Sequence, residues 1–158
     1  MGTPSQFASL LPSAPKGVRE PGTARDAMVT IPKTLDQQSD VGAVRRQLVD
    51  DHVHIVLIVD EHRRLLTTIT RSDLSSSVPD SARAVDVGRL AGRTTRASMP
   101  ISDVTSQLDR TGERRMAVTD NQGRLLGLLC LKQSRRGYCS DDGVAARVHD
   151  IGRPRILP

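Results

Sequence analysis

Aromatic rings are nearly missing from this chain: there is no tryptophan, and Phe7 and Tyr138 are its only phenylalanine and tyrosine. Proteins that grip single-stranded nucleic acid stack successive bases on such rings, so an RNA-stacking surface is excluded on composition. Cysteine is almost as scarce. Cys130 and Cys139 make no C-x-x-C spacing, which points away from a zinc knuckle or a disulfide framework and leaves free thiols as the expectation. No long apolar run exists either. The longest, Ile55 to Val59, falls far short of the roughly 20 residues that cross a bilayer. The N-terminus lacks a charged lead into an apolar core with a cleavage site, and the sequence reads as cytoplasmic with no membrane partner. Lys and Arg total 23 against 18 Asp and Glu, yet no long basic run gathers the excess. A net charge of this kind governs solubility and non-specific attraction, and a DNA-associated role ranks low.

What the sequence does have is a repeat. Arg64-Leu65-Leu66 returns as Arg124-Leu125-Leu126, and the same ungapped offset of sixty matches Ala24 with Ala84, Asp26 with Asp86, Thr34 with Thr94, Gln47 with Gln107 and Asp60 with Asp120. Val41 with Ile101, Ile58 with Val118 and Ile69 with Leu129 are conservative matches in the same register. Self-similarity at a fixed period marks a duplicated structural unit.

Each copy predicts the same elements. In the first, Lys33 to Leu35 reads as a brief strand. Ser39 or Asp40 caps a helix whose Val41, Val44 and Leu48 fall at helical spacing, and which ends near Asp51. His54 to Asp60 and Arg64 to Ile69 read as paired strands around a polar turn, and Ser72 as the start of a second helix. In the second copy the helix carries Ile101, Val104 and Leu108, and the strands cover Met116 to Thr119 and Arg124 to Leu129 across a good turn at Asn121-Gln122-Gly123. The expected division is a mobile Pro- and Gly-rich tail over 1–23, repeats over 24–78 and 79–137, and a terminal segment over 138–158 with a short helix capped by Ser140.

The chemistry worth weighing sits at Thr70-Arg71-Ser72-Asp73. A strand-end hydroxyl and a carboxylate three residues on, beside unpaired N-H groups, suit the two hydroxyls of a ribose and a nearby phosphate, with Arg71 as a charged clamp. The same tetrapeptide is equally a capping box, which stabilises a helix end by about 1 kcal/mol and binds nothing. His52, His54 and His62 lie close in sequence, but no further residues complete a recognised N/S ligand set. Asp50 and Asp51 read as helix-end charges. Arg114-Arg115 and Arg135-Arg136 read as solvated surface. No nucleophile is paired with a base, so no enzyme is expected.

An Asp-x-Met start, Ile58-Val59-Asp60 at a strand end, and Leu-Leu-x-x-Ile-Thr-x-x-Asp leading into a helix together resemble a CBS domain. Two in tandem, over about residues 24 to 135, resemble a CBS pair or Bateman module. The resemblance implies an α/β fold of two β-α-β-β-α repeats related by pseudo-twofold symmetry. It further implies a regulatory module that takes AMP, ADP, ATP or S-adenosylmethionine in a cleft and requires no cofactor. Its partners would be a second copy of itself, as a homodimer, and an unidentified regulated protein. Family placement puts the adenine near Thr30, Ile31, His54, Ile55 and Val56, beside the sugar and phosphate that suit Thr70, Arg71, Ser72 and Asp73. Two departures are visible. Thr67 replaces the usual glycine and would crowd the ligand, and Cys130 and Gln133 replace the Thr and Asp in the second copy, which leaves one site of the usual kind. A ligand-free dimeric interaction module is the alternative.

Overall fold

The structure is a computed structural model that describes residues 22–140. The expected tail over 1–23, apart from Gly22 and Thr23, and the expected helix after Ser140 lie outside the described residues.

Both copies build a three-stranded sheet with one parallel and one antiparallel pairing. In the first, α1 (Ala24–Ala27) leads to β1 (Thr34–Asp36), α2 (Val41–Leu48), β2 (Val56–Val59) and β3 (Leu65–Ile69), in sheet order β1-β2-β3. In the second, a 3-10 turn (Ala84–Asp86) leads to β4 (Thr94–Arg96), α3 (Ile101–Thr111), β5 (Arg115–Thr119) and β6 (Leu125–Cys130), in sheet order β4-β5-β6. The β2-β3 register shifts between Ile58 and Val59, and the β5-β6 register between Val118 and Thr119, the same place in each copy. Asp40 caps α2, its Oδ1 accepting from the Ala43 N-H at 2.8 Å.

The two sheets meet along a pseudo-twofold axis. At the hairpin tips the Leu65 N-H donates to the Gly123 carbonyl at 2.9 Å, and the Leu125 N-H donates to the Arg63 carbonyl at 2.8 Å. These bonds interchange under the offset of sixty. Alternation along β2 explains why all of it is apolar. Val56 and Ile58 pack toward α2, while Leu57 and Val59 pack with Leu65, Ala117 and Leu125 between the repeats. A strand buried on both faces has no polar side to show.

The leading segments are exchanged between the copies. Ala24 and Ala27 of α1 sit in the core of the second repeat with Val104, Leu108 and Met116, and Ala84 sits in the core of the first with Val44 and Ile58. Backbone bonds fix the exchange: Val29 pairs with Leu128 of β6, and Arg89 pairs with Thr68 of β3. Residues 24–30 therefore stabilise the second repeat rather than the first.

The helix expected from Ser72 to close the first copy does not form. After β3 there is one 3-10 turn (Arg71–Asp73), and then an irregular run through Ser75-Ser76-Ser77 to Pro79. Serine side chains compete for backbone groups, and here the Ser75 and Ser77 hydroxyls bond each other at 2.6 Å. Proline then ends any continuation. Arg45 holds the run against α2, donating to the Ser75 and Val78 carbonyls at 3.1 and 2.8 Å and pairing with Asp80. In the second copy the chain turns back after Leu131, which pairs with Tyr138.

Candidate functional site

Two clefts open where the ends of β3 and β6 approach the starts of β5 and β2. The first, about 270 Å³, is lined by Thr70, Arg71 and Ser72, by His54 and Ile55, by Arg93, and by Gly112 to Arg115. The second, about 460 Å³, is its image under the offset of sixty, with Cys130, Leu131 and Lys132 in place of Thr70, Arg71 and Ser72. His54, Arg114 and Arg115 line both.

Of the nine residues singled out for ligand binding, His54, Ile55, Thr70, Arg71 and Ser72 share the first cleft. Asp73 stands behind it. Val56 is buried in β2, and Thr30 and Ile31 line neither cleft. Ile31 is 84% exposed. The exchange of leading segments explains this: residues after Val29 follow β6, so the stretch that reaches the Thr70 site is Arg89 to Arg93 of the other copy.

Arg93 is the residue sequence reasoning missed. Its side chain is 3% exposed, and Nη1 and Nη2 meet the Asp73 carboxylate at 2.6 and 3.2 Å. Nη1 also donates to the Thr68 carbonyl at 3.1 Å, and Nη2 to the Thr70 hydroxyl at 3.3 Å. Its Nε has no partner among the described residues although it is buried. Asp73 in turn accepts from the Thr70 N-H at 2.8 Å and the Thr70 hydroxyl at 3.2 Å, which completes a capping box on the 3-10 turn. The carboxylate expected to hold a ribose is thus occupied by a guanidinium. Burial pushes the Asp73 carboxyl up, but the hydrogen bonds from Arg93 and Thr70 and the Arg93 charge outweigh it and hold the group below the ordinary carboxylate value. One clue lay in the sequence: Lys33 sits at the position sixty residues before Arg93, so both copies place a cation there.

Other charges divide between support and site. Arg71 donates to the Leu48 carbonyl and, at 3.0 Å, to the Asp50 carbonyl, so it caps the C-terminal end of α2 while lining the cleft. Arg114 and Arg115, expected as solvated surface, are half-buried walls of both clefts. Thr67 does not crowd the cleft. Its hydroxyl donates to the Val87 carbonyl at 2.8 Å, and Gly88 provides the room. In the second copy the sizes are reversed, Gly127 lying against Met28.

His54 lies among cations. Burial first, then the charges of Arg115, Arg114, Arg71 and His52, lower its pKa below the ordinary 6.5. Protonation therefore favours the unfolded chain. The stability this group contributes is full above about pH 6.5, the unfolded value, and is lost as the pH falls from there through the folded value. Proton NMR should find its imidazole titrating below the ordinary value, and a midpoint at or above 6.5 would contradict this cationic, partly buried setting.

Among the described residues no three His, Cys, Asp or Glu side chains come together to hold a metal ion, and no helix is long and apolar enough to cross a membrane. No family model and no curated protein matches the sequence. Solved structures do. The CBS pair domain of a putative Mg²⁺ transporter from Shewanella oneidensis MR-1 aligns with a TM-score of 0.62 at 17% identity, covering 85% of this chain and 74% of that one. A CBS domain protein from Pyrobaculum aerophilum complexed with AMP gives 0.58 at 14% identity over 72% of this chain and 94% of that one. The cytosolic domain of the Mg²⁺ channel MgtE in complex with ATP gives 0.60 at 19% over 81% and 49%. The fold is that of a CBS pair.

Proposed function

We propose that this chain, a tandem CBS pair in fold, is a regulatory module that takes a phosphorylated adenosine ligand in its first cleft and passes that state to a partner protein. The observation that carries the reading is the charge of the cleft. Arg71, Arg114 and Arg115 line it against the carboxylate of Glu113, while the charge of Arg93 is balanced by Asp73 behind it. A partly enclosed cleft with such an excess concentrates anions, so it selects AMP, ADP or ATP over the cationic sulfonium of S-adenosylmethionine. Thr70 and Ser72, bonded to each other at 2.8 Å, offer hydroxyls to the ligand. The AMP and ATP complexes of similar folds support the choice of ligand class.

Ribose capture at Asp73 then requires Arg93 to swing away. Each ligand is opposed by that ion pair, and its net effect is only its differential affinity for the open and latched arrangements. A second reading rests on the same contact: with Arg93 left in place, the Asp73 carboxylate is taken up by the protein itself and the chain is a ligand-free interaction module. Self-association as a homodimer belongs to both readings, supported by the apolar side chains of Ile31 and Val49, 84% and 79% exposed. We read neither as an enzyme.

Thermal-shift and calorimetric titration with AMP, ADP, ATP and S-adenosylmethionine separate the two. The nucleotide reading expects ATP to bind more tightly than S-adenosylmethionine, more weakly as salt rises, and about tenfold more weakly in Arg114→Ala, in keeping with about 1.5 kcal/mol for a hydrogen bond to a charged group. No response to any of the four favours the ligand-free module.

A further inference from the structure

The second cleft holds both cysteines of the chain. The Cys139 thiol donates to the Cys130 sulfur at 3.1 Å, and the two residues flank the antiparallel bridge between Leu131 and Tyr138. The Cys139 N-H donates to the Cys130 carbonyl at 2.8 Å, and the Lys132 N-H donates to the Gly137 carbonyl at 3.0 Å, so two backbone bonds hold the sulfurs in register. Tyr138 anchors the returning segment. Its ring packs on the core of the second repeat, and its hydroxyl bonds the Thr105 hydroxyl at 2.8 Å. Side chains directly opposite on one face of an antiparallel pair come within a small adjustment of the spacing a disulfide requires. Cys130 is buried, whereas Cys139 is half-buried, and both line the open cleft beside Arg114, Arg115 and Lys132.

We propose that Cys130 and Cys139 are a redox-exchangeable pair that closes by reaction with small anionic disulfides, such as glutathione disulfide, drawn into the second cleft by its cations. Cys139, the more accessible thiol, loses its proton and attacks the small disulfide. This forms a mixed disulfide and releases one glutathione thiol. Cys130 then attacks the Cys139 sulfur and expels the second. In all, two protein thiols give up two electrons and two protons, and one glutathione disulfide is reduced to two glutathione thiols. The product ties the end of β6 to the returning segment and pins Lys132 and Gln133, which line the cleft between them. It does not depend on nucleotide binding.

The test equilibrates the full chain in glutathione buffers of graded potential, quenches by alkylation, and maps peptides by mass. Folded protein is compared with the same chain in urea. Wild type should lose both thiols together to an intramolecular bond, at a glutathione disulfide excess at least tenfold lower when folded than in urea. Cys130→Ser should instead accumulate a glutathione adduct on Cys139. Equal closure in folded and unfolded chains, a stable adduct on Cys139 in wild type, thiols that stay reduced, or bonds formed between chains would each overturn the proposal. The folded-to-urea ratio comes from wild type alone, so it stands even where a serine variant fails to fold.

Discussion

Asp73→Ala should lower the stability of the chain by about 3 kcal/mol, the low end of the range for removing one partner of a buried ion pair. The cost arises at Arg93, which is 3% exposed and would keep its charge with only the Thr68 carbonyl and the Thr70 hydroxyl to accept from it. The reverse truncation is milder. In Arg93→Ala the carboxylate retains the Thr70 N-H and hydroxyl, and its side chain is already 17% exposed, so a loss of about 1–2 kcal/mol is expected. Replacing both, as Asp73→Ala with Arg93→Met, should recover part of the loss, because a methionine fills the aliphatic path of the arginine without stranding a charge. Urea unfolding of wild type, Asp73→Ala, Arg93→Met and that double variant gives the cycle. Strict additivity would mean that the pair does not act as a unit.

The second large effect is expected at Gly88→Ala. Gly88 has φ +83, and an added Cβ would lie 2.1 Å from the Thr68 carbonyl oxygen and 2.9 Å from an Ile69 side-chain atom. That carbonyl accepts from the Arg89 N-H at 3.0 Å, so relief of the clash breaks the bond that seats the second repeat's leading segment on β3. Left-handed backbone strain and overpacking together amount to about 2–5 kcal/mol. Gly127→Ala meets the Val29 carbonyl at 2.5 Å without the positive φ and should cost less. Gly123→Ala, with φ +79 but open space around it, should cost only about 1 kcal/mol. Thermal unfolding of the three variants should preserve that order. Gly88→Ala no worse than Gly123→Ala would contradict the exchanged arrangement.

The sequence conveyed what is local and repeated. The offset of sixty implied two equivalent sheets, and the placement of Asp60 and Asp120 at matching hairpin turns follows from it, each Oδ1 accepting two N-H groups of its own turn. The α2 cap was readable as Ser39 or Asp40, because a polar residue before Val41, Val44 and Leu48 has a defined local task, and Asp40 fills it. What was hidden is tertiary. Nothing in the spacing of Ala24 and Ala27 says whose core they enter, so Thr30 and Ile31 were assigned beside Asp73 when that neighbourhood belongs to Arg89 through Arg93. Arg93 reads as one more surface cation until its burial is known. The missing closing helix was closer to the surface of the text, since Ser75 to Ser77 and Pro79 are poor helix formers. The Thr-x-x-Asp start is a true helix signal, but it caps only a single 3-10 turn.

On the proposed reading, the contact that hid from the sequence also governs what the first cleft admits. If Arg93 stands in for the ligand at Asp73, the chain discriminates against any ribose that cannot displace it, and a phosphate that draws on Arg114 and Arg115 supplies the compensating attraction. A nucleoside without phosphate lacks that compensation, which makes it the sharper probe of the latch. Calorimetric titration of adenosine into wild type and Arg93→Ala is the direct measurement. The account predicts binding at least fivefold tighter to the variant, about 1 kcal/mol of latch released to the sugar. Equal affinity, or no adenosine bound by either protein while both remain folded, would contradict it.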